Sequence, residues 1–192
     1  MLVMTRGIAR RGFTLVEVIT AVAVASLLAA VTIPTVMSRL AYGKGKALAG
    51  EIQAIASALQ AFNDNTGSYP LYLDELGTLT GTSSHTDNTC GGFMTATQIS
   101  SWKGPYLSRP IAPGNNYITA DDNTILNQLT RVAGPPAYLQ ITINGVSSDV
   151  AAVVEELIDG PVVANSYTTG SFLWTSGTGV ATYRLVVPTA CA

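Results

Sequence analysis

The chain has 192 residues, room for one domain of ordinary size and one extra element. Charged residues make up 11%, well under the roughly 25% of soluble domains, with Ser, Thr, Asn and Gly in their place, a balance that suits a secreted or surface protein better than a cytosolic enzyme. The net charge is −2; without the first twelve residues, which hold Arg6, Arg10 and Arg11, 7 basic and 12 acidic side chains remain (net −5), which excludes the electrostatic footprint of a nucleic-acid binder or a polybasic membrane-surface binder.

Residues 1–12 (MLVMTRGIARRG) are short and basic at their end. Residues 13–33 come next as 21 residues with a single charge, Glu17. A membrane-spanning helix needs about 20 apolar residues, so this run is long enough. An ordinary secretory signal has an apolar core of about 7–15 residues and a small-residue cleavage site after it. Here the basic leader ends in Gly12, before the apolar run.

Pro34 removes a backbone donor and crowds the preceding turn, so a helix kink is expected there. The helical pattern then resumes: Leu48, Ile52, Ile55, Leu59 and Phe62 recur at spacings of four and three, an amphipathic stripe. Asn63 to Thr66 and then Gly67 stop it, with Gly67 placed for a left-handed cap. Residues 13 to about 64 therefore read as one helix of roughly 78 Å. Gly43, Gly45 and Gly50 weaken its middle by about 1 kcal/mol each relative to Ala. Its first half needs lipid or other helices to cover it.

Residues 71–135 read as loop-rich, with 77–92 an exposed loop dense in Gly, Ser, Thr and Asn. Residues 125–132 are expected to form a short helix, closed by Gly134, Pro135 and Pro136. Residues 138–144 alternate as a strand, and 150–158 read as a helix with Ser148 as its cap and Asp159-Gly160 as its stop. Residues 171–176 and 180–187 flank Gly177-Thr178-Gly179 as a hairpin. Cys90 and Cys191 are the two cysteines; in an exported chain they suggest one disulfide. The loop it closes, about 100 residues, corresponds to on the order of 4.7 kcal/mol of chain entropy before strain.

Several features lack the pattern their chemistry needs. His85 is the one histidine, so no histidine triad can form, and with Cys90 it has too few partners for a metal. Asp121-Asp122-Asn123-Thr124 reads as a solvated turn without the spacing of a calcium loop. Gly43-Lys44-Gly45-Lys46 fails the phosphate-loop spacing. Trp102, Tyr106 and Trp174 read as head core or subunit contacts. No catalytic residues, cofactor or metal site are expected, and the chain reads as a non-enzyme.

The segment Arg10-Arg11-Gly12-Phe13-Thr14-Leu15-Val16-Glu17 resembles the processing site of type IV prepilins and type II secretion pseudopilins. The resemblance implies cleavage between Gly12 and Phe13 by a prepilin peptidase, N-methylation of Phe13, and an assembly role for Glu17 as the fifth mature residue. Pro34 falls where family members carry a kinking proline. Gln53 to Pro70, ending in Tyr69-Pro70, and Trp102-Lys103-Gly104-Pro105-Tyr106-Leu107 resemble stretches of major pseudopilins. The Asp-Pro-Trp-Gly run of those proteins is absent, and their C-terminal calcium loop has no clear match.

The expected fold is α+β: a long N-terminal helix, its first half transmembrane, packed on a small antiparallel sheet. The expected organisation is a removed leader 1–12, a transmembrane and filament-core helix 13–34, an amphipathic helix 35–66 and an extracytoplasmic head 67–192. The family implies a filament subunit forming a helical homo-oligomer, made in the inner membrane as a single-pass protein and drawn out by an assembly platform with an ATPase. A carboxylate inside a membrane helix costs roughly 2.5–3.5 kcal/mol on insertion scales and normally has a partner. In a staggered bundle Glu17 could meet the Phe13 amine of a neighbour. The alternatives are a minor pilin of a DNA-uptake or adhesion system, which a basic head would favour, and a single-pass anchored binding module.

Overall fold

The computed structural model describes residues 12–79, 88–109, 111–112, 114–161 and 170–188. The chain divides into two compact units, Met1–Leu40 and Ala41–Ala192. The expected leader, apart from Gly12, lies outside the described residues, as do His85 and Cys191.

Helix α1 (Leu15–Thr66) has 52 residues and keeps helical pairing through Pro34. In the first unit its large apolar side chains are all exposed, from Leu15 at 74% to Leu40 at 54%. The hydroxyls there turn inward: Ser26 donates to the Val22 carbonyl at 2.8 Å and Thr32 to the Leu28 carbonyl at 3.0 Å. These hydroxyls thus find their partners within the helix, as an apolar surrounding requires.

In the second unit the helix turns amphipathic, and the stripe at 48, 52, 55, 59 and 62 is buried to within 1%. Gly45 belongs to the same buried face, where a Cβ would come within 2.6 Å of the Val153 side chain. Gly43 and Gly50 have open space around them. The helix ends where Gly67, at φ +76°, donates to the Asn63 carbonyl at 2.7 Å, a left-handed cap.

The sheet that meets this stripe is antiparallel throughout. Its strands are β1 (Tyr117–Ile118), β2 (Thr124–Ile125), β3 (Thr130–Val132), β4 (Ala137–Asn144), β5 (Phe172–Thr175) and β6 (Val180–Val187). The strand order is β1-β2-β4-β6-β5, and β3 also pairs with β4. The central strand β4 alternates strictly, with Leu139, Ile141 and Ile143 wholly buried. That alternation is what one covered sheet face demands. β6 pairs with β4 over its whole length, from Ala137 opposite Val187 to Asn144 opposite Val180. The β5–β6 hairpin turns through Gly177 and Gly179, both at positive φ.

Among the described residues the head also holds a 3-10 turn at Leu73–Leu76 and two α-helices: α2 (Ala96–Ser100), opened by a capping box between Thr95 and Gln98, and α3 (Ser148–Asp159). The N-cap of α3 is Ser147 rather than Ser148, and it makes no side-chain cap bond. The Ser148 hydroxyl instead donates to Asp149 at 3.3 Å. The expected helix over 125–132 is not formed. Thr124 and Ile125 pair with the far end of β4, and Thr130 to Val132 pair with its near end. Between them the Leu126 amide donates to the Thr142 carbonyl, while the Asn127 carbonyl accepts from Leu73.

The Trp102–Leu107 segment lies against the core. Trp102 donates its indole N–H to the Glu75 carbonyl at 3.2 Å, and Tyr106 meets Phe62 edge-on at 5.7 Å. The Tyr106 hydroxyl accepts from Asn65 and from the Lys103 amide, so this segment is fastened to the last turns of α1. Trp174 donates to the Val146 carbonyl. The 121–124 turn is held to α1 at two points two helical turns apart. Lys44 approaches Asp121 at 3.7 Å, and Glu51 accepts from the Ala120 amide at 3.2 Å.

Candidate processing and assembly site

The N-terminal site begins with the helix start. Thr14 precedes Leu15, and its hydroxyl accepts from the Glu17 amide at 3.2 Å. This is half of the Ser/Thr-x-x-Glu capping box, with Glu17 at the N3 position. In the sequence Thr14 stood out only as part of a family motif, although its spacing to Glu17 carried the capping signal. The cap fixes the helical phase of the first turns, so Phe13, Glu17, Ala21 and Ala25 line one groove on the same face.

The Glu17 carboxylate is exposed and accepts no hydrogen bond among the described residues. It does not close the box by reaching back to the Thr14 amide. Its position in the first turn favours a negative charge through the exposed N–H groups there. The cap thus orients the side chain and leaves its oxygens available to an outside partner.

Gly12 is exposed, and a Cβ at this position would meet nothing within 4 Å. Nothing inside the described chain therefore requires glycine at position 12. Phe13 is 81% exposed.

Pro34 lies inside α1, where it cannot donate to the Ala30 carbonyl. The helix is the one element among the described residues long and apolar enough to cross a membrane, with a mean hydropathy of 2.3 over its best window. None of that window is buried, which sets it apart from the core helix of a soluble domain. Cys90 is exposed, and its amide is held by Asn88 Oδ1 at 3.0 Å in a turn that also takes the Gly92 amide. No described cysteine is free, and the expected partner Cys191 lies outside the described residues.

Comparison with known proteins matches the same stretch. Residues 8–33 match the family model of the prokaryotic N-terminal methylation motif. The type II secretion system core protein G of Pseudomonas aeruginosa is 33% identical over 107 residues, covering 54% of this chain and 74% of that protein. No solved structure matches the chain. With the leader motif, an uncovered apolar helix and an antiparallel head in one polypeptide, the chain belongs to the type IV prepilin and type II secretion pseudopilin family.

Proposed function

We propose that this chain is a structural, non-enzymatic subunit of a type II secretion pseudopilus or type IV pilus-like filament. The single observation that carries the reading is the free, exposed Glu17 carboxylate. It stands one turn from Phe13 on a helix that is otherwise apolar and uncovered. An isolated carboxylate in a membrane core is costly enough to call for a partner. Cleavage after Gly12 creates that partner as the amine of Phe13, N-methylated as the family motif implies. In a staggered bundle the Glu17 of one copy meets the Phe13 amine of the next, and their attraction grows as water is excluded.

The remaining assignments rest on the family. A prepilin peptidase removes residues 1–12, and residues 13–34 form the membrane anchor and later the filament core. Pro34 bends that helix. The head lies outside the inner membrane, and an inner-membrane platform with an ATPase drives assembly into a helical homo-oligomer. Apart from the family, the two cysteines of an exported chain favour a Cys90–Cys191 disulfide that ties down the C-terminus.

Intact-mass analysis of the protein recovered from membranes, in a host with the peptidase, tests the reading. The expected chain lacks residues 1–12 and carries one methyl group on Phe13. A chain beginning at Met1, or cut after residue 33, overturns it. Gly12→Leu should block the cut. Because a Cβ at position 12 would meet nothing within 4 Å among the described residues, that block would report the peptidase's need for a small residue rather than misfolding.

A further inference from the structure

We propose that Asn144 is a site of spontaneous deamidation in the folded head, with the Gly145 amide nitrogen as nucleophile and water as co-reactant. Asn144-Gly145 is the one Asn-Gly step in the sequence. Asn144 is the last residue of β4, and Gly145 beyond it is exposed at φ +88°. With no Cβ, Gly145 leaves its own nitrogen unshielded and its dihedrals free to move.

The reacting groups are also unengaged. Neither the Gly145 N–H nor the Asn144 carboxamide makes a hydrogen bond outside the strand ladder among the described residues. The anchor resumes one residue later. There the Val146 amide donates to the Gly179 carbonyl at 3.0 Å, and the Val146 carbonyl accepts from Trp174. Ring closure turns the Asn144 Cα–C bond at the last residue of β4, and the freedom of Gly145 absorbs that turn before the chain is fixed again at Val146.

The step balances without an oxidant or reductant. The Gly145 nitrogen gives its proton to solvent base and bonds to Asn144 Cγ. The carboxamide C–N bond breaks, and ammonia leaves after taking a proton from water. The product is a five-membered succinimide. One water then adds to either ring carbonyl, giving aspartate or isoaspartate at position 144. The net change is Asn plus water to Asp plus ammonia.

Asp159-Gly160 could enter the same ring chemistry through its carboxyl, but its oxygens are occupied. Oδ1 accepts from the Ser171 amide at 2.9 Å and Oδ2 from the Phe172 amide at 2.7 Å. The fold thus protects one glycine-flanked site and leaves the other open. Position 144 also pairs with Thr124 on one side and Val180 on the other. The extra backbone methylene of isoaspartate would disturb the junction of β2, β4 and β6.

The test incubates the full chain, folded in detergent with its circular dichroism monitored, at mildly alkaline pH, and then applies peptide mapping that separates aspartate from isoaspartate. Asn144 should convert several times faster than any other asparagine, to a mixture of both products, while Asp159 stays intact. Asn144→Gln, which forms the larger ring slowly and keeps the backbone unchanged, should remove that product and retain the fold. Conversion of another asparagine ahead of Asn144 overturns the proposal, as does conversion of Asn144 only after unfolding in urea.

Discussion

Gly45 of α1 lies so close to α3 that a methyl group on it would come within 2.6 Å of the Val153 side chain and 3.2 Å of the Val150 carbonyl. The glycine that weakens the helix locally is the one that lets two helices meet. Gly45→Ala should therefore destabilise the head by about 1–3 kcal/mol through overpacking. Gly43→Ala and Gly50→Ala face open space and should each stabilise it by up to about 1 kcal/mol. Urea denaturation of the three variants, monitored by tryptophan fluorescence, measures the contrast. Equal effects at all three positions would show that helix propensity alone governs them.

Asp159 ends α3 and holds the first two amides at the entry to β5. Gly170, at φ +101°, lets the carboxylate in; a Cβ there would stand 2.6 Å from Oδ2. Asp159→Ala should cost about 1.5 kcal/mol, at the low end for charge-assisted bonds because the side chain is exposed. Hydrogen exchange should quicken at Ser171 and Phe172 before it quickens in the middle of β6. Unchanged protection of those two amides would remove Asp159 from this role.

The Tyr183 pKa is raised above 10, first by burial and then by the nearby Asp159 carboxylate. Tyr69 is raised by burial and Asp64, with Arg131 opposing. Both phenols are better accommodated neutral, so the folded state holds its protons to higher pH than the unfolded chain. The stability they contribute is fully present below about pH 10 and is lost as pH rises through the raised folded-state values. Phenolate absorbance should rise late in the folded protein. Asp159→Asn should bring the Tyr183 titration partway down and leave that of Tyr69 unmoved. A shift of both would point to general loosening.

The pairing proposed for Glu17 depends on its charge. Glu17→Gln keeps the shape and eases membrane insertion, so processed subunits should accumulate in the membrane and rarely enter filaments. The neighbour's Phe13 amine would then stand without a counter-charge in a low-dielectric core. Glu17→Asp should be intermediate, with the charge kept and the reach shortened. Thr14→Ala removes the cap, at about 1 kcal/mol, and should lower filament yield less than Glu17→Gln does. The readout is filament yield against membrane-monomer level. Normal filaments from Glu17→Gln would show that helix packing alone sets register.

The long helix, the strand over 138–144 and the last hairpin were legible because their burial has a local period. The stripe at 48, 52, 55, 59 and 62 repeats with the helix, and Leu139, Ile141 and Ile143 alternate with the strand. The segment 125–132 misled for the same reason. Ile125 and Leu129 are both buried and four residues apart, the spacing of a helix face. Their backbone instead answers to β4, Thr124 and Ile125 through Asn144 and Ile143, and Thr130 to Val132 through Gln140 to Tyr138 across a turn, and a pairing to another strand leaves no mark in the apolar spacing of one segment. At the site the motif gave Gly12, Phe13 and Glu17. The tie from Thr14 to Glu17 was written in the same four residues but hidden by their family meaning. The space left by Gly45 was not legible, since Val153 lies more than a hundred residues away.

The division of one edge of β4 between β2 and β3 bears on how such heads can live side by side. An uncovered strand is a template on which another chain can add itself, and crowding multiplies the encounters. Here that edge of the central strand is taken up in two short pieces by its own chain. At the other end of the sheet, β5 offers four residues with its entry amides already given to Asp159. Pro188 comes directly after β6, where it cannot donate to a ladder. Heads packed at high local density would touch through side chains, which part when subunits separate, and the sheets would stay separate.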